Sequence, residues 1–134
     1  MQITMGLFDH MVVQRDAKNR SAALFSGECT DSGSVRVSVT LNGEPVRGFS
    51  GKVVGQAARG KMNGSIDGLP VGGPYELTLS VGDQSAVVKD LLVGDVWLLG
   101  GQSNMQGCGL FPKKRPVADK EVRAFYMDDR WGVA

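Results

Sequence analysis

The hexapeptide Gly100-Gly101-Gln102-Ser103-Asn104-Met105 gathers the residues most able to do chemistry in this chain, directly behind the apolar run Asp95 to Leu99. An apolar strand that breaks at glycines and then presents a serine holds the hydroxyl at the carboxyl edge of a sheet. Small neighbours there leave room for substrate and let backbone N–H groups approach a developing negative charge. Ser103 is therefore a candidate nucleophile, with Gln102 and Asn104 in the substrate and oxyanion vicinity. A polar loop serine or helix N-cap satisfies the same short pattern. Serine at its free pKa is a weak nucleophile and needs a base, normally a histidine oriented by a carboxylate. The one histidine, His10, lies far upstream. The sequence shows half of an active site.

The other chemistry-bearing residues read more simply as structural. His10 follows Asp9 but would act as a base only if the amino-terminal part folded over the serine edge, so a surface or packing role is expected. Asp95 precedes a strand and is expected to pair or cap. Adjacent strand-end carboxylates such as Asp128 and Asp129 point in different directions, which disfavours a shared cation or acid/base work. Cys29 and Cys108 form no disulfide framework and no metal spacing, and are expected to be unpaired thiols. Lys113-Lys114-Arg115, flanked by prolines, reads as a solvated loop. Trp97 is expected in the core; Trp131 is left open between packing and stacking on a sugar. The glycines of 100–109 match neither a dinucleotide fingerprint nor a phosphate loop with its lysine. No cofactor and no metal are expected.

Those residues need elements to position them. In 134 residues there are 19 glycines, few aromatics and many short valine-rich runs, a composition of β structure with frequent turns. Ser34–Leu41 alternates cleanly, with Val35, Val37, Val39 and Leu41 on one face, the period of a half-buried strand. Asn42-Gly43 suits a tight type I′ hairpin turn. Pro74–Val81 alternates again through Tyr75, Leu77, Leu79 and Val81. Gly82-Asp83 then turns into a partner strand over Ala86–Leu92. Weaker strand signals lie at Met11–Arg15, Ala22–Cys29, Gly51–Val54 and Lys61–Ile66. Residues 1–93 therefore predict a β-sandwich.

The pattern changes at residue 94. Val96-Trp97-Leu98-Leu99 is a continuous apolar run, as in a central parallel strand covered on both faces. A loop follows, then another strand candidate at Val122–Met127. Residues 94–134 predict the opening of an incomplete α/β domain, since two parallel strands and a connection cannot form a covered sheet. An apolar strand left uncovered would be flexible, dock on the sandwich, or pair edge to edge with another copy.

Charge and hydropathy exclude some function classes. Fifteen basic against fourteen acidic residues leave a net charge of +1, which offers no nucleic-acid or anionic-membrane surface. No apolar run approaches the roughly 20 residues of a membrane-crossing helix. The segment Met1–Gly6 has neither the basic nor the apolar region of a signal peptide.

Three stretches together resemble the amino-terminal part of the sialate O-acetylesterases and related carbohydrate acetyl esterases of the SGNH hydrolase superfamily. Leu7–Arg15 is similar to that family's opening "NMVLQR"-like segment, and Gly72–Leu77 to its "GGPYEL" segment. Lys89–Leu98 followed by Gly101–Met105 resembles its signature "DVLVGDVWLCSGQSNM". The resemblance implies a β-sandwich leading into a flavodoxin-like SGNH domain, with Ser103 at the nucleophile position and its own N–H in the oxyanion hole. It assigns further oxyanion donors, and an aspartate–histidine base, to later blocks that this chain does not contain. Acetylated carbohydrates, sialic acids among them, would be the substrates, in a periplasmic, secreted or lysosome-like compartment. Gln106 and Gly107 stand where the family has acidic or aromatic residues, and His10 where it more often has asparagine. The rival expectation is a non-catalytic β-sandwich that binds carbohydrate or a protein partner.

Overall fold

The computed structural model describes residues 1–102 and 117–134. Eleven strands and no helix occur among them. They are β1 (Gln2–Met5), β2 (Val12–Gln14), β3 (Arg20–Glu28), β4 (Gly33–Leu41), β5 (Glu44–Pro45), β6 (Lys52–Ala58), β7 (Lys61–Pro70), β8 (Gly72–Val81), β9 (Gln84–Gly94), β10 (Arg123–Phe125) and β11 (Trp131–Val133).

Alternation builds the core as the sequence predicts. Val35, Val37 and Val39 of β4 and Tyr75, Leu77, Leu79 and Val81 of β8 are all buried. Facing them in one cluster are Phe25 of β3, Met62, Ile66 and Leu69 of β7, and Leu91 and Val93 of β9. Asn42 and Gly43 adopt φ of 52° and 82° between the paired residues Leu41 and Glu44, the left-handed backbone that a type I′ turn requires. Gly64 allows a close approach: a Cβ there would lie 2.2 Å from the Val54 carbonyl oxygen and 2.7 Å from Phe25 Cζ.

The expected two-layer sandwich takes the form of one curled sheet. Nine strands follow the order β1-β3-β7-β6-β4-β8-β9-β2, with β5 on β4. The long strand β4 gives its first half to β6 and its second to β8, with a register shift between Val35 and Arg36. A bulge of this kind bends and twists a strand, so the sheet turns a corner without breaking. Its far end then returns. The Asp16 carboxylate accepts from the Lys18 and Arg20 amides, and the turn delivers Ser21 into a bridge with Arg15. The end of β2 thus meets the start of β3, and the sheet wraps around one core.

All ladders are antiparallel except β2 on β9, where Val12, Val13 and Gln14 pair with Leu92, Val93 and Gly94. Short edge pairings such as β1 and β11 carry little apolar periodicity, and neither is read from sequence. Val122–Met127 does contain a strand, β10, but it pairs antiparallel with β11 in a separate hairpin. Val96–Leu99 lies in no strand. A strand exists only through ladder partners, and none reaches these residues among the described ones.

Candidate active-site approach

The parallel pairing of β2 with β9 decides where the serine-bearing stretch leaves the sheet. The Arg15 amide donates to the Gly94 carbonyl at 2.8 Å. One residue further, the Arg15 guanidinium grips the Asp95 carboxylate at two points, Nε to Oδ1 at 2.8 Å and Nη2 to Oδ2 at 3.2 Å. The Val96 amide donates to Gln14 Oε1 at 2.7 Å, and Gln14 Nε2 donates to the Arg15 carbonyl at 2.9 Å. The hydrogen bond from Arg15, opposed slightly by burial and helped by its charge, holds the Asp95 carboxyl below the usual carboxylate range. Asp95 is a structural pairing residue, as its position before an apolar run suggested.

Past this anchor the chain runs into the open. Trp97 is 81% exposed and Leu98 97%, which corrects the expectation that Trp97 belongs to the core. An apolar run is buried only when neighbours cover both its faces. Here it borders one side of a cleft of about 1000 Å³, whose other walls include Val12, Gly72, Leu92, Phe125 and Trp131. Gln102 is exposed at a bend at the end of this stretch. Ser103 and Asn104, like Cys108 and Lys113-Lys114-Arg115, lie outside the described residues.

The far side of the cleft is the β10–β11 hairpin. Phe125 and Trp131 pair across it with ring centroids 5.5 Å apart, so Trp131 packs on an aromatic neighbour while still facing the cleft. At the turn the Asp129 amide donates to Tyr126, and Asp129 takes a φ of 59°. Arg130 Nε donates to Asp128 at 2.7 Å, leaving the two carboxylates in different structural roles.

Arg123 reaches back from β10 to the sheet. Its side chain is 3% exposed, and Nη2 donates to Asp90 Oδ1 at 2.8 Å. Nε and Nη1 of the same guanidinium have no partner among the described residues. The other oxygen of Asp90 accepts from His10 Nδ1 at 2.6 Å. An ionised carboxylate only accepts, so Nδ1 carries the proton in this pair. Burial pushes the Asp90 carboxyl up, but the hydrogen bonds and charges of His10 and Arg123 outweigh it and hold the group below its ordinary value.

The sole histidine therefore has an orienting carboxylate, which is how a general base is held. His10 does not line the cleft, however, and its carboxylate is shared with a buried arginine. Its backbone is as constrained as its ring. His10 has a φ of 63° and donates its amide to the Lys89 carbonyl, while Asp9 accepts the Lys89 amide. The packing role expected for His10 fits this geometry. Sequence reasoning missed Asp90 and Arg123. Charged residues in a strand candidate, Lys89 and Asp90 in one and Arg123 in the other, read as solvent-facing, and only the fold shows Asp90 and Arg123 turned toward one another.

Among the described residues no group of three or more His, Cys, Asp or Glu side chains is placed to hold a metal ion. Cys29 is buried and forms no disulfide among the described residues. No helix of the described residues is long and apolar enough to cross a membrane.

No family model matches the chain. Its sequence is similar to sialate O-acetylesterase of Rattus norvegicus, 32% identical over 102 residues that cover 73% of this chain and 18% of that protein. The chain thus spans under a fifth of the length of this relative. A solved carbohydrate acetylesterase from Xanthomonas citri is 29% identical over 77% of this chain and 21% of its own, with a TM-score of 0.47. In sequence the chain is similar to acetylesterases.

Proposed function

We propose that this chain is the amino-terminal part of a serine esterase that removes O-acetyl groups from carbohydrates, sialic acids among them. The observation that carries the reading is the sequence similarity to sialate O-acetylesterase across 102 residues. The anchoring of Asp95 and Val96, where the chain leaves the sheet toward Ser103, supports it. A nucleophile works only from a held position, and two side chains, Arg15 and Gln14, hold the chain at Asp95 and Val96.

In this reading residues 94–134 open an SGNH-type catalytic domain, and the exposed run Val96–Leu99 becomes its first covered strand. Ser103 Oγ attacks the acetyl carbonyl carbon. The oxyanion of the tetrahedral intermediate is held partly by the Ser103 N–H, with Gln102 and Asn104 beside it. A histidine outside this chain accepts the serine proton and returns it to the departing sugar oxygen as the C–O bond breaks. Water, activated by the same histidine, then cleaves the acetyl-enzyme to acetate and regenerates the serine. No step needs a metal or a cofactor.

The test is Ser103→Ala in a protein that carries this chain with its downstream sequence. Hydrolysis of an acetylated sugar falls by about a thousandfold or more, with an unchanged thermal transition. Near-normal turnover by that variant removes the nucleophile assignment. A second reading, a non-catalytic carbohydrate-binding module, draws on the Phe125–Trp131 pair bordering the cleft. It requires saturable sugar binding with no turnover in the longer protein.

A further inference from the structure

Two Asn-Gly steps occur in the chain, Asn42-Gly43 and Asn63-Gly64. At such a step the glycine amide nitrogen can attack the asparagine side-chain carbonyl, because no Cβ on the glycine crowds the approach. The bond from that nitrogen to Cγ forms, ammonia leaves, and a cyclic imide results. Water then opens the imide at either carbonyl, giving aspartate or isoaspartate; in isoaspartate the main chain is longer by a methylene. The reaction consumes only water. It requires a glycine amide outside any ladder and a backbone able to turn that nitrogen onto the side chain. We infer that Asn42 is a site of this deamidation in the folded chain, that the fold shields Asn63 from it, and that isoaspartate at position 42 unlatches the loop that lays Phe49 on the core. None of this rests on Ser103 or on the esterase reading.

The surroundings of the two steps decide between them. Asn42 and Gly43 are both exposed, and a Cβ on Gly43 would meet nothing within 4 Å. The Gly43 amide donates to no backbone carbonyl among the described residues. Asn63-Gly64 instead lies inside β7 with partners on both sides, Gln56 and Ser26 for Asn63, Gly55 and Phe25 for Gly64. Backbone groups there belong to the ladder, and turning one of them requires the sheet to open. The space is filled as well, since a Cβ on Gly64 would lie 2.2 Å from the Val54 carbonyl oxygen. The consequence follows from what the exposed turn holds. Leu41 and Glu44 pair across Asn42 and Gly43, a loop length that a type I′ turn closes with asparagine or aspartate but not with an extra main-chain atom. The returning strand β5 has only Glu44 and Pro45, both exposed, so no buried side chain holds it down. Beyond it the Val46 amide donates to the Val39 carbonyl and the Val39 amide to the Phe49 carbonyl, each at 2.9 Å. These bonds seat Phe49, 5% exposed, in the core cluster.

The experiment ages the folded 134-residue chain in mildly alkaline buffer beside a sample in urea. Peptide mass mapping with isoaspartate methyltransferase labelling reads conversion at each step. In the folded chain Asn42 should convert at least about tenfold faster than Asn63, because loops open at small cost and central strands only near the full cost of unfolding. In urea the two rates should converge. Comparable rates in the folded chain, or no conversion at Asn42 while the urea sample converts, overturn the assignment. The isoaspartate form, separated by ion exchange, should exchange its Val39 and Val46 amides about tenfold or more faster, while Leu77 and Leu79 stay protected. Asn42→Asp adds the charge without lengthening the main chain and should leave both amides protected. Unchanged exchange in the isoaspartate form overturns the unlatching, and equal loosening by Asn42→Asp overturns its assignment to main-chain length.

Discussion

Arg15 and Asp95, eighty positions apart, meet in a two-point ion pair at the place where β2 and β9 end side by side. The pair explains why an opening segment and a distant serine motif occur in one chain. The first supplies the strand, the amide side chain and the guanidinium that hold Asp95 and Val96 ahead of the second.

Breaking this pair should act locally. Arg15→Ala or Asp95→Asn is expected to leave the melting transition of the sheet nearly unchanged, because both partners are well exposed. The Val96 amide should nevertheless lose protection from exchange. A large fall in Tm would show that the pair supports the whole sheet.

Acid should release the 94–134 segment before it melts the sheet. Asp90 and Asp95 both have native pKa values below that of a free aspartate, about 3.9. Stability from such groups is fully present above the unfolded pKa and lost as pH falls through the native one. As pH falls below about 4, therefore, exchange should rise first in the β10–β11 hairpin and at Val96. Simultaneous loss of hairpin and sheet would contradict this order.

The core should fail independently of the anchors. Phe25→Ala removes a buried ring over Gly64 and should cost about 3–5 kcal/mol. Chemical denaturation would read this as a lower midpoint at unchanged slope. Gly64→Ala should also destabilise, since its Cβ would press on Phe25 and on the Val54 carbonyl.

The 134-residue chain should show no Ser103-dependent turnover of p-nitrophenyl acetate. His10 is committed to Asp90 and does not border the cleft. In the longer protein His10→Ala should retain activity within about tenfold of the unsubstituted enzyme, well short of the loss from removing a general base. Serine-dependent turnover by the short chain would make His10 the base after all.

Much of the β part was legible in the residues themselves. The alternation of Val35, Val37 and Val39 and of Tyr75, Leu77 and Leu79 specifies which face is buried, and Asn42-Gly43 specifies the turn from β4 into β5. Sheet closure was not legible, because it depends on how β4 divides its pairing between β6 and β8 and on a single Arg15–Ser21 bridge. Such choices are set by register, which a period of two leaves open. The apolar run at Val96–Leu99 was legible as a segment meant for burial, but burial is a property of neighbours, and the described ones do not surround it. The Asp90–Arg123 pair was hidden for the opposite reason. Its residues look like surface charges until the fold turns them inward.

The parallel joining of β2 to β9 also sets a schedule. Residues 12–14 have no ladder partner until residues 92–94 exist, so a chain emerging from the ribosome holds β2 unmatched through most of the synthesis of this sheet. Pairings at long sequence separation close late. When they do, Arg15 meets Asp95 in the same event. The segment leading to the serine is thus oriented in the step that completes the sheet beneath it.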